Sequence, residues 1–489
     1  MLLDDALAEI PVIRRLGRQA ADICGIAYDS RQVREGDLFV AIKGEKSNGA
    51  CFIPQAIDKG AVAVASESGI EPEPDAAYLV VADARQFLAR ISRIFYGDPS
   101  EQLNLVAITG TNGKTTTSYL MHSIFNHAGI PSCLVGTLGM RIGPRSFKSA
   151  HTTPESCDLL KLLRQAADEG CTHGALEVSS HSLALDRVFG TRFKVGVFMN
   201  LTRDHLDFHK DMESYFRAKR LLFSAENENR VETAVINTDD PYGKRLEREI
   251  GCAVLTFGFN RDAAIRVIEH QSRVSGTDLT VQTPAGETRY RLHLIGRPNI
   301  YNVMAATGAA LSLGIGLDEI QKGVEGLPGV PGRLERVEAG QDFTVVVDYA
   351  HSPDSLENLL NTVSRLPHHK LITVFGCGGD RDRTKRPIMG EIAVRMSDCV
   401  LATSDNPRSE DPLQILAEIE AGLRKGPAPY QIVPDRREAI ETAVSIARKG
   451  DVVVIAGKGH EDYQILGDRT IPFDDRKLAA ELIRELLKP

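Results

Sequence analysis

The stretch AITGTNGKTTT, Ala107 to Thr117, constrains the fold of this chain more than any other. An apolar strand, LVAIT, runs into a glycine-rich turn. Lys114 and Thr115 then open a helix, KTTTSYLMHSIFNHAG, for which Gly129 is the expected C-terminal stop. A strand, a glycine turn and a Lys-Thr pair at a helix start make a phosphate loop. Backbone N–H groups and the helix N-terminus converge there on an anion. The candidates for holding nucleotide phosphates are Gly110, Thr111, Asn112, Gly113, Lys114, Thr115 and Thr116. Lys114 would bridge the terminal phosphates and Thr115 would offer its hydroxyl to Mg²⁺. The usual first glycine of the motif falls at Ile108, so the strict pattern fails, but Gly110 and Gly113 keep its physics. Nucleotide binding follows from this loop; a reaction does not.

From Leu103 onward strands alternate with helices, which argues for a mostly parallel sheet. VGVFMN and TAVINTDD are further strands, and PNIYNVMAATGAALSLG is a long helix of small residues. The first hundred residues read as a smaller α/β unit, with GDLFVAI and AVAVAS as strands and QFLARISRIFYG as a helix. YGDPSEQLN (Tyr96 to Asn104) reads as a linker and GLPGVPGRLE (Gly326 to Glu335) as a second boundary. Three α/β domains are expected: 1–98, 99–331 and 332–489. In the last, the strands FTVVVD, LITVF, CVLAT and VVVIA each run straight into a polar or glycine-rich loop. Ligands bind beyond the carboxyl ends of strands in open α/β sheets, so the four loops are expected to face one crevice.

Composition narrows the class. A net charge of -8 over 489 residues argues against a general nucleic-acid binder. Eight scattered cysteines with no C-x-x-C pair suit a reduced, cytoplasmic setting. The N-terminal MLLDDALAEIPVIRR carries acids where a signal peptide needs bases. No segment is long and apolar enough for a membrane span. A soluble intracellular enzyme is expected.

Other polar groups have chemistry to offer. Glu177 ends a small strand in ALEVSSHSLALDR, with Ser179, Ser180 and His181 at the turn. His205 and His209 in RDHLDFHKD would share a face if helical, as a metal pair would. No zinc motif completes such a pair. His209 reads as a surface residue, and His205, beside Asp204, stays open between ligand and surface. In SYFRAKRLLF a helical spacing puts Tyr215, Lys219 and Leu222 on one face. Lys219 either snorkels to water or is pressed against the site, where burial lowers its pKa. The loop Asp405 to Arg408 is, on local grounds, a turn as readily as a ligand reader.

With these residues in view, the chain resembles the Mur ligases of peptidoglycan synthesis. The resemblance spans essentially the whole length. It is carried in order by TGTNGKTTT, HTTPE, EVSSH, RDHLDFH, RAKRLLF, GRPNIYN, PGRLE, DYAHSPDS, GCGGDRDRTKRP, DNPR and GKGHE. It implies an N-terminal UDP-substrate domain, a central ATPase domain and a C-terminal Rossmann-like domain. It also implies a cytoplasmic, Mg²⁺-requiring ligase, expected to act as a monomer. That ligase would use ATP to join meso-2,6-diaminopimelate to UDP-N-acetylmuramoyl-L-alanyl-D-glutamate through an acyl phosphate.

On the same resemblance Thr115 and Glu177 match ligands of one Mg²⁺, and His205 of a second. Lys219 matches a carbamylated lysine that adds oxygen ligands. Asn299, Asn302, Arg333 and Asp348 match nucleotide contacts. Ser30, Thr152, Thr153, Ser179 and Arg187 match contacts to the UDP-linked substrate. Arg381, Asp405, Asn406, Pro407, Arg408, Gly457 and Glu461 match contacts to the incoming amino acid. His151, Leu185 and the stretch Glu45 to Ser47 depart from the family pattern. Diaminopimelate is lysine with an extra carboxylate on its far carbon. The Arg408 fork suits that carboxylate and Glu461 can take an ammonium. Competing readings are the same ligation with L-lysine, a folylpolyglutamate-synthase-like ligase, and a non-catalytic nucleotide switch.

Overall fold

The computed structural model describes residues 1–44, 47–67, 76–149, 151–273 and 275–487. Glu45 and Lys46, of the departing stretch, lie outside the described residues. Three sheets follow one another along the chain. The first has five strands in the order Arg14–Gly17, Ala77–Val80, Ala63–Ser66, Asp37–Val40 and Gly25–Ala27. All its pairings are parallel except the first. Asp37–Val40 and Ala63–Ser66 are buried along their whole length, as strands covered on both faces must be. The helix Ala84–Phe95 covers one face; Asp83 caps it by accepting from the N–H groups of Arg85 and Gln86.

The linker is fastened rather than loose. Asp98, at φ 36°, takes an ion pair from Arg93 at 2.6 Å and a hydrogen bond from the Ser100 hydroxyl at 2.6 Å.

The central sheet has eleven strands. Its phosphate-loop strand, Asn104–Thr109, lies between His173–Glu177 and Arg192–Phe198, parallel to both. Antiparallel hairpins extend the parallel core at each edge, Gly276–Thr283 with Gly286–Leu292 and Gly139–Ile142 with Arg145–Phe147. The helices Lys114–His127 and Arg297–Ser312 share one core with this sheet. Small residues let the second helix approach closely: a Cβ at Gly308 would lie 2.9 Å from Val235 Cγ1.

The third sheet orders Glu335–Arg336, Thr344–Asp348, Val452–Ala456, Leu371–Phe375, Cys399–Ala402 and Tyr430–Ile432, parallel except at the first pair. The four strands read from the sequence are therefore parallel neighbours, and their loops leave the sheet on one side. A hairpin, Tyr463–Leu466 with Arg469–Pro472, adjoins those loops. No described helix is long and apolar enough to cross a membrane.

Candidate active site

The phosphate loop is shaped by close approach. Gly110 and Gly113 have φ of 151° and 91°. A Cβ at Gly113 would stand 2.5 Å from Asn302 Oδ1, and one at Gly110 would stand 2.7 Å from Met199 Cβ. Both positions need glycine for space, and Gly113 also for its left-handed backbone. Lys114 folds back over the loop and donates to the carbonyls of Gly110 and Thr111 at 2.8 and 2.9 Å. Lys219 donates to the same Gly110 oxygen at 2.8 Å. It is buried, on the face it shares with Tyr215 and Leu222. Its pKa falls well below the ordinary lysine value because burial disfavours the charge and Lys114 adds repulsion. Lys219 does not snorkel.

Glu177 is 1% exposed. Its Oε2 accepts from the Thr115 hydroxyl at 2.9 Å and the Thr137 hydroxyl at 3.0 Å, and its Oε1 from the Thr137 N–H at 2.9 Å. Arg333 Nη2 reaches Thr115 Oγ1 at 3.4 Å, and its guanidinium lies over the Tyr349 ring. Asn302 donates to Asn299 Oδ1 at 2.9 Å, and Asn299 donates to the Ile295 carbonyl at 2.8 Å. Asp348 accepts from the N–H groups of Leu334 and Ala350, which ties the second boundary to the third sheet. Thr153 donates to the Glu177 carbonyl at 2.8 Å, and Thr152 and Thr137 hydroxyls lie 3.1 Å apart. Arg187 pairs with Glu155 at 2.9 Å, and Glu155 also holds Arg85 of the N-terminal unit.

One cleft of about 1140 Å³ gathers most of these groups. Thr111 to Thr116, Glu177, His205, Asn299, Asn302, Arg333 and Asp348 line it together with Thr152, Thr153, Ser179 and Arg187. Gly110 and Lys219 are not part of its lining. Ser30 lies apart in the N-terminal unit, donating to Gln55 Oε1 at 2.7 Å.

The histidines need a correction. His209 is not a surface residue: it is 5% exposed, bonds Ser180 Oγ at 2.9 Å and stacks on Tyr215. Sequence reading missed this because the polar neighbours of His209 look solvated until Tyr215 folds over it. His205, at φ 53°, stands just before a helix of four residues, Leu206–His209, without a side-chain cap bond, and is half-exposed towards the cleft. Among the described residues no third His, Cys, Asp or Glu joins the two to make a metal group.

The residues matched to the amino acid form a second cluster. Asp405 and Asn406 are buried. Asn406 donates to Glu461 Oε2 at 2.8 Å and accepts from the Ile465 N–H at 2.9 Å. The ammonium on Glu461 is that of Lys458, 2.9 Å from Oε2 and fully buried. Arg408, at φ 53°, donates to the Gly379 carbonyl at 2.8 Å. A Cβ at Gly378 would meet Arg408 Nη1 at 2.8 Å and Arg381 Cγ at 4.0 Å, which places both arginines at that loop. The carbonyl of Pro407 packs against Gly379, and Gly457 packs against Asp405. Lys458 lies in a quoted motif but was not singled out, and Thr137 gave no local signal.

The geometry is that of an α/β nucleotide-binding enzyme, with a phosphate loop in one cleft and a second cluster of polar groups at the loops of the third sheet. Family models match along the chain: "Mur ligase family, catalytic domain" over 22–96, "Mur ligase middle domain" over 108–310 and "Mur ligase, glutamate ligase domain" over 332–459. A UDP-N-acetylmuramoyl-L-alanyl-D-glutamate–2,6-diaminopimelate ligase from Geobacter metallireducens is 46% identical over 99% of both chains. A solved structure of a ligase of that name is 33% identical, with a TM-score of 0.72 and full coverage of both chains. A folylpolyglutamate synthase of Mycobacterium tuberculosis, at 20% identity and a TM-score of 0.62 over 76% of this chain and 91% of that one, shares the fold alone. The chain belongs to the Mur ligase family.

Proposed function

We propose that this chain is the ligase that uses ATP to add meso-2,6-diaminopimelate to UDP-N-acetylmuramoyl-L-alanyl-D-glutamate, in cytoplasmic peptidoglycan precursor synthesis. The carrying observation is the single cleft that sets the phosphate loop beside Glu177 and the Thr152–Thr153 and Arg187 group. Relatives covered over 98–99% of their own length are ligases named for both substrates. We divide the chain into a UDP-substrate domain (1–98), an ATP domain (99–331) and an amino-acid domain (332–489). Eight unpaired cysteines suit the cytoplasm, and the protein acts as a monomer in this reading.

A carboxylate is a poor acyl donor until its oxygen becomes a leaving group. A γ-carboxylate oxygen of the D-glutamate attacks the γ-phosphorus of ATP, and ADP leaves. The diaminopimelate amine then attacks the acyl carbon, loses a proton, and phosphate departs. Lys114, freed from the Gly110 and Thr111 carbonyls, holds the phosphoryl oxygens as charge builds. Arg333 reinforces it from the third domain's boundary.

Mg²⁺ fits the residues present as a partner of phosphate rather than as an ion caged by protein. Among the described residues no three His, Cys, Asp or Glu side chains are grouped to hold a metal. Thr115 and Glu177 instead supply a hydroxyl and a buried carboxylate, the hard oxygens that Mg²⁺ takes alongside water and phosphates. Bound there, it would neutralise charge on the transferring phosphoryl group. His205 and a carbamylated Lys219 would hold a second ion.

The test is phosphate release with diaminopimelate and with L-lysine side by side. Rapid release is expected only with the UDP-linked dipeptide and diaminopimelate together. Slow turnover indifferent to both would return the chain to a nucleotide switch, and equal use of lysine would move it to the lysine-adding reading.

A further inference from the structure

Beneath the amino-acid cluster lies an ion pair that the reaction as described does not use. Arg436 and Asp475 are both 0% exposed. Nε and Nη2 of the arginine meet Oδ1 and Oδ2 of the aspartate at 2.8 and 2.7 Å, a two-pronged pairing that permits one orientation. Two further donors end on backbone. Nη2 reaches the Ala456 carbonyl at 3.1 Å, and Nη1 the Ser404 carbonyl at 3.4 Å. Those carbonyls come immediately before Gly457 and Asp405, one at the end of the strand Val452–Ala456 and the other two residues beyond the strand Cys399–Ala402.

The two loops have no slack against each other. A Cβ at Gly457 would stand 2.5 Å from Asp405 Oδ2. The fully buried Lys458 also joins Asn406 Oδ1 at 3.3 Å to Glu461 Oε2 at 2.9 Å. A shift of either carbonyl therefore moves Asp405, Gly457 or both. Stability does not account for the pair, because a buried ion pair is often no better than apolar residues of its size. Helix chemistry favours Asp475, an anion opening the helix Asp475–Leu486, but not Arg436, which opens Arg436–Ile446 where a cation opposes the helix dipole.

We propose that the Arg436–Asp475 pair is a positioning device for the two loops that read the incoming amino acid, and that it sets the preference for diaminopimelate over lysine. This rests on the assignment of Asp405–Arg408, Gly457 and Glu461 to that ligand. Neither residue touches the ligand: Arg436 acts through the two backbone carbonyls, and Asp475 acts by fixing Arg436.

The experiment compares wild type, Arg436→Lys and the apolar pair Arg436→Met with Asp475→Leu. Read-outs are the melting temperature and KM and kcat for ATP, diaminopimelate and L-lysine. The apolar pair should melt close to wild type. Its KM for diaminopimelate should rise about tenfold or more, with KM for ATP within about twofold. The kcat/KM ratio of diaminopimelate to lysine should fall by a similar factor. Arg436→Lys keeps the charge but loses the fork and should move the same parameters less. An unchanged diaminopimelate KM and ratio in either variant overturns the proposal, as does an equal rise for ATP and diaminopimelate. If the apolar pair does not fold, Arg436→Lys alone decides by the same split. A wild-type enzyme indifferent to both amino acids would overturn the ligase reading and this inference with it. Variants indifferent in an active background overturn the inference alone.

Discussion

Two lysine ammonium groups end on one carbonyl oxygen, that of Gly110. Burial lowers the pKa of both, and that of Lys219, the less exposed and further repelled by Lys114, falls well below the ordinary lysine value. A neutral amine can add carbon dioxide, which is what a carbamate requires. Lys219→Ala should lower kcat by at least about 100-fold, with partial rescue by added short carboxylates. Near-normal turnover would rule out the carbamate. Arg408→Ala should raise KM for diaminopimelate about 10- to 100-fold, as loss of a charged hydrogen bond does, and leave KM for ATP close to unchanged. Equal losses would reduce the loop to a turn.

A third residue tests stability. His122 bonds Ser132 Oγ at 3.2 Å, and burial, then Arg141, pushes its pKa down to about 4. The unfolded chain binds the proton near pH 6.5, so between those values the unfolded state holds more protons. Stability from this group is full above about pH 6.5 and is lost as the pH falls towards 4, by up to ~3 kcal/mol. Melting temperature against pH should fall less steeply over that range in His122→Gln than in wild type. Parallel curves would exclude the histidine.

At the level of elements, the loop and helix that bind phosphate are held from outside. Asn302 and Met199 crowd Gly113, so the phosphate loop takes its shape from a helix and a strand end far away in sequence. Gly113→Ala meets both a clash at 2.5 Å and a φ of 91°. The expected cost is about 1–3 kcal/mol of local strain, read as weaker ATP binding by calorimetry. Unaltered ATP affinity would show that the loop relaxes freely. Elements themselves were largely legible. LVAIT, VVVIA and LITVF are strands where apolar runs of five residues meet glycine or polar turns. Gly129, at φ 69°, follows the phosphate-loop helix as expected. What local pattern could not show was the seat of His209, because burial by Tyr215 comes from another helix.

Across the whole molecule, the third domain touches the phosphate loop directly. One oxygen of Asp354, in the first turn of the helix Pro353–Ser364, accepts from Asn112 Nδ2 and Thr202 Oγ1, both at 2.9 Å. Asp354→Ala should loosen this closure. The radius of gyration in solution scattering should rise, and kcat should fall about tenfold, since bonds to a charged group contribute about 1.5–3 kcal/mol. An unchanged scattering profile with unchanged kcat would mean that the contact holds nothing. A corresponding tie on the other side runs through Glu155, which Arg85 of the first unit and Arg187 of the second share.

The class of fold, the phosphate loop, the order of the motifs and the four loop-bearing strands of the last sheet were legible from residue order alone. Those signals are local: periodicity, glycine at a turn and Lys-Thr at a helix start act within a few residues. Tertiary structure decided the rest. It set Lys219 against Lys114, gave Glu461 the Lys458 ammonium as a partner, and buried His209. It also ran Arg436 under two loops more than 50 residues apart, from Ser404 to Ala456. Partners so distant in the chain leave no short-range pattern, because desolvation and hydrogen-bond direction exist only once the strands are side by side.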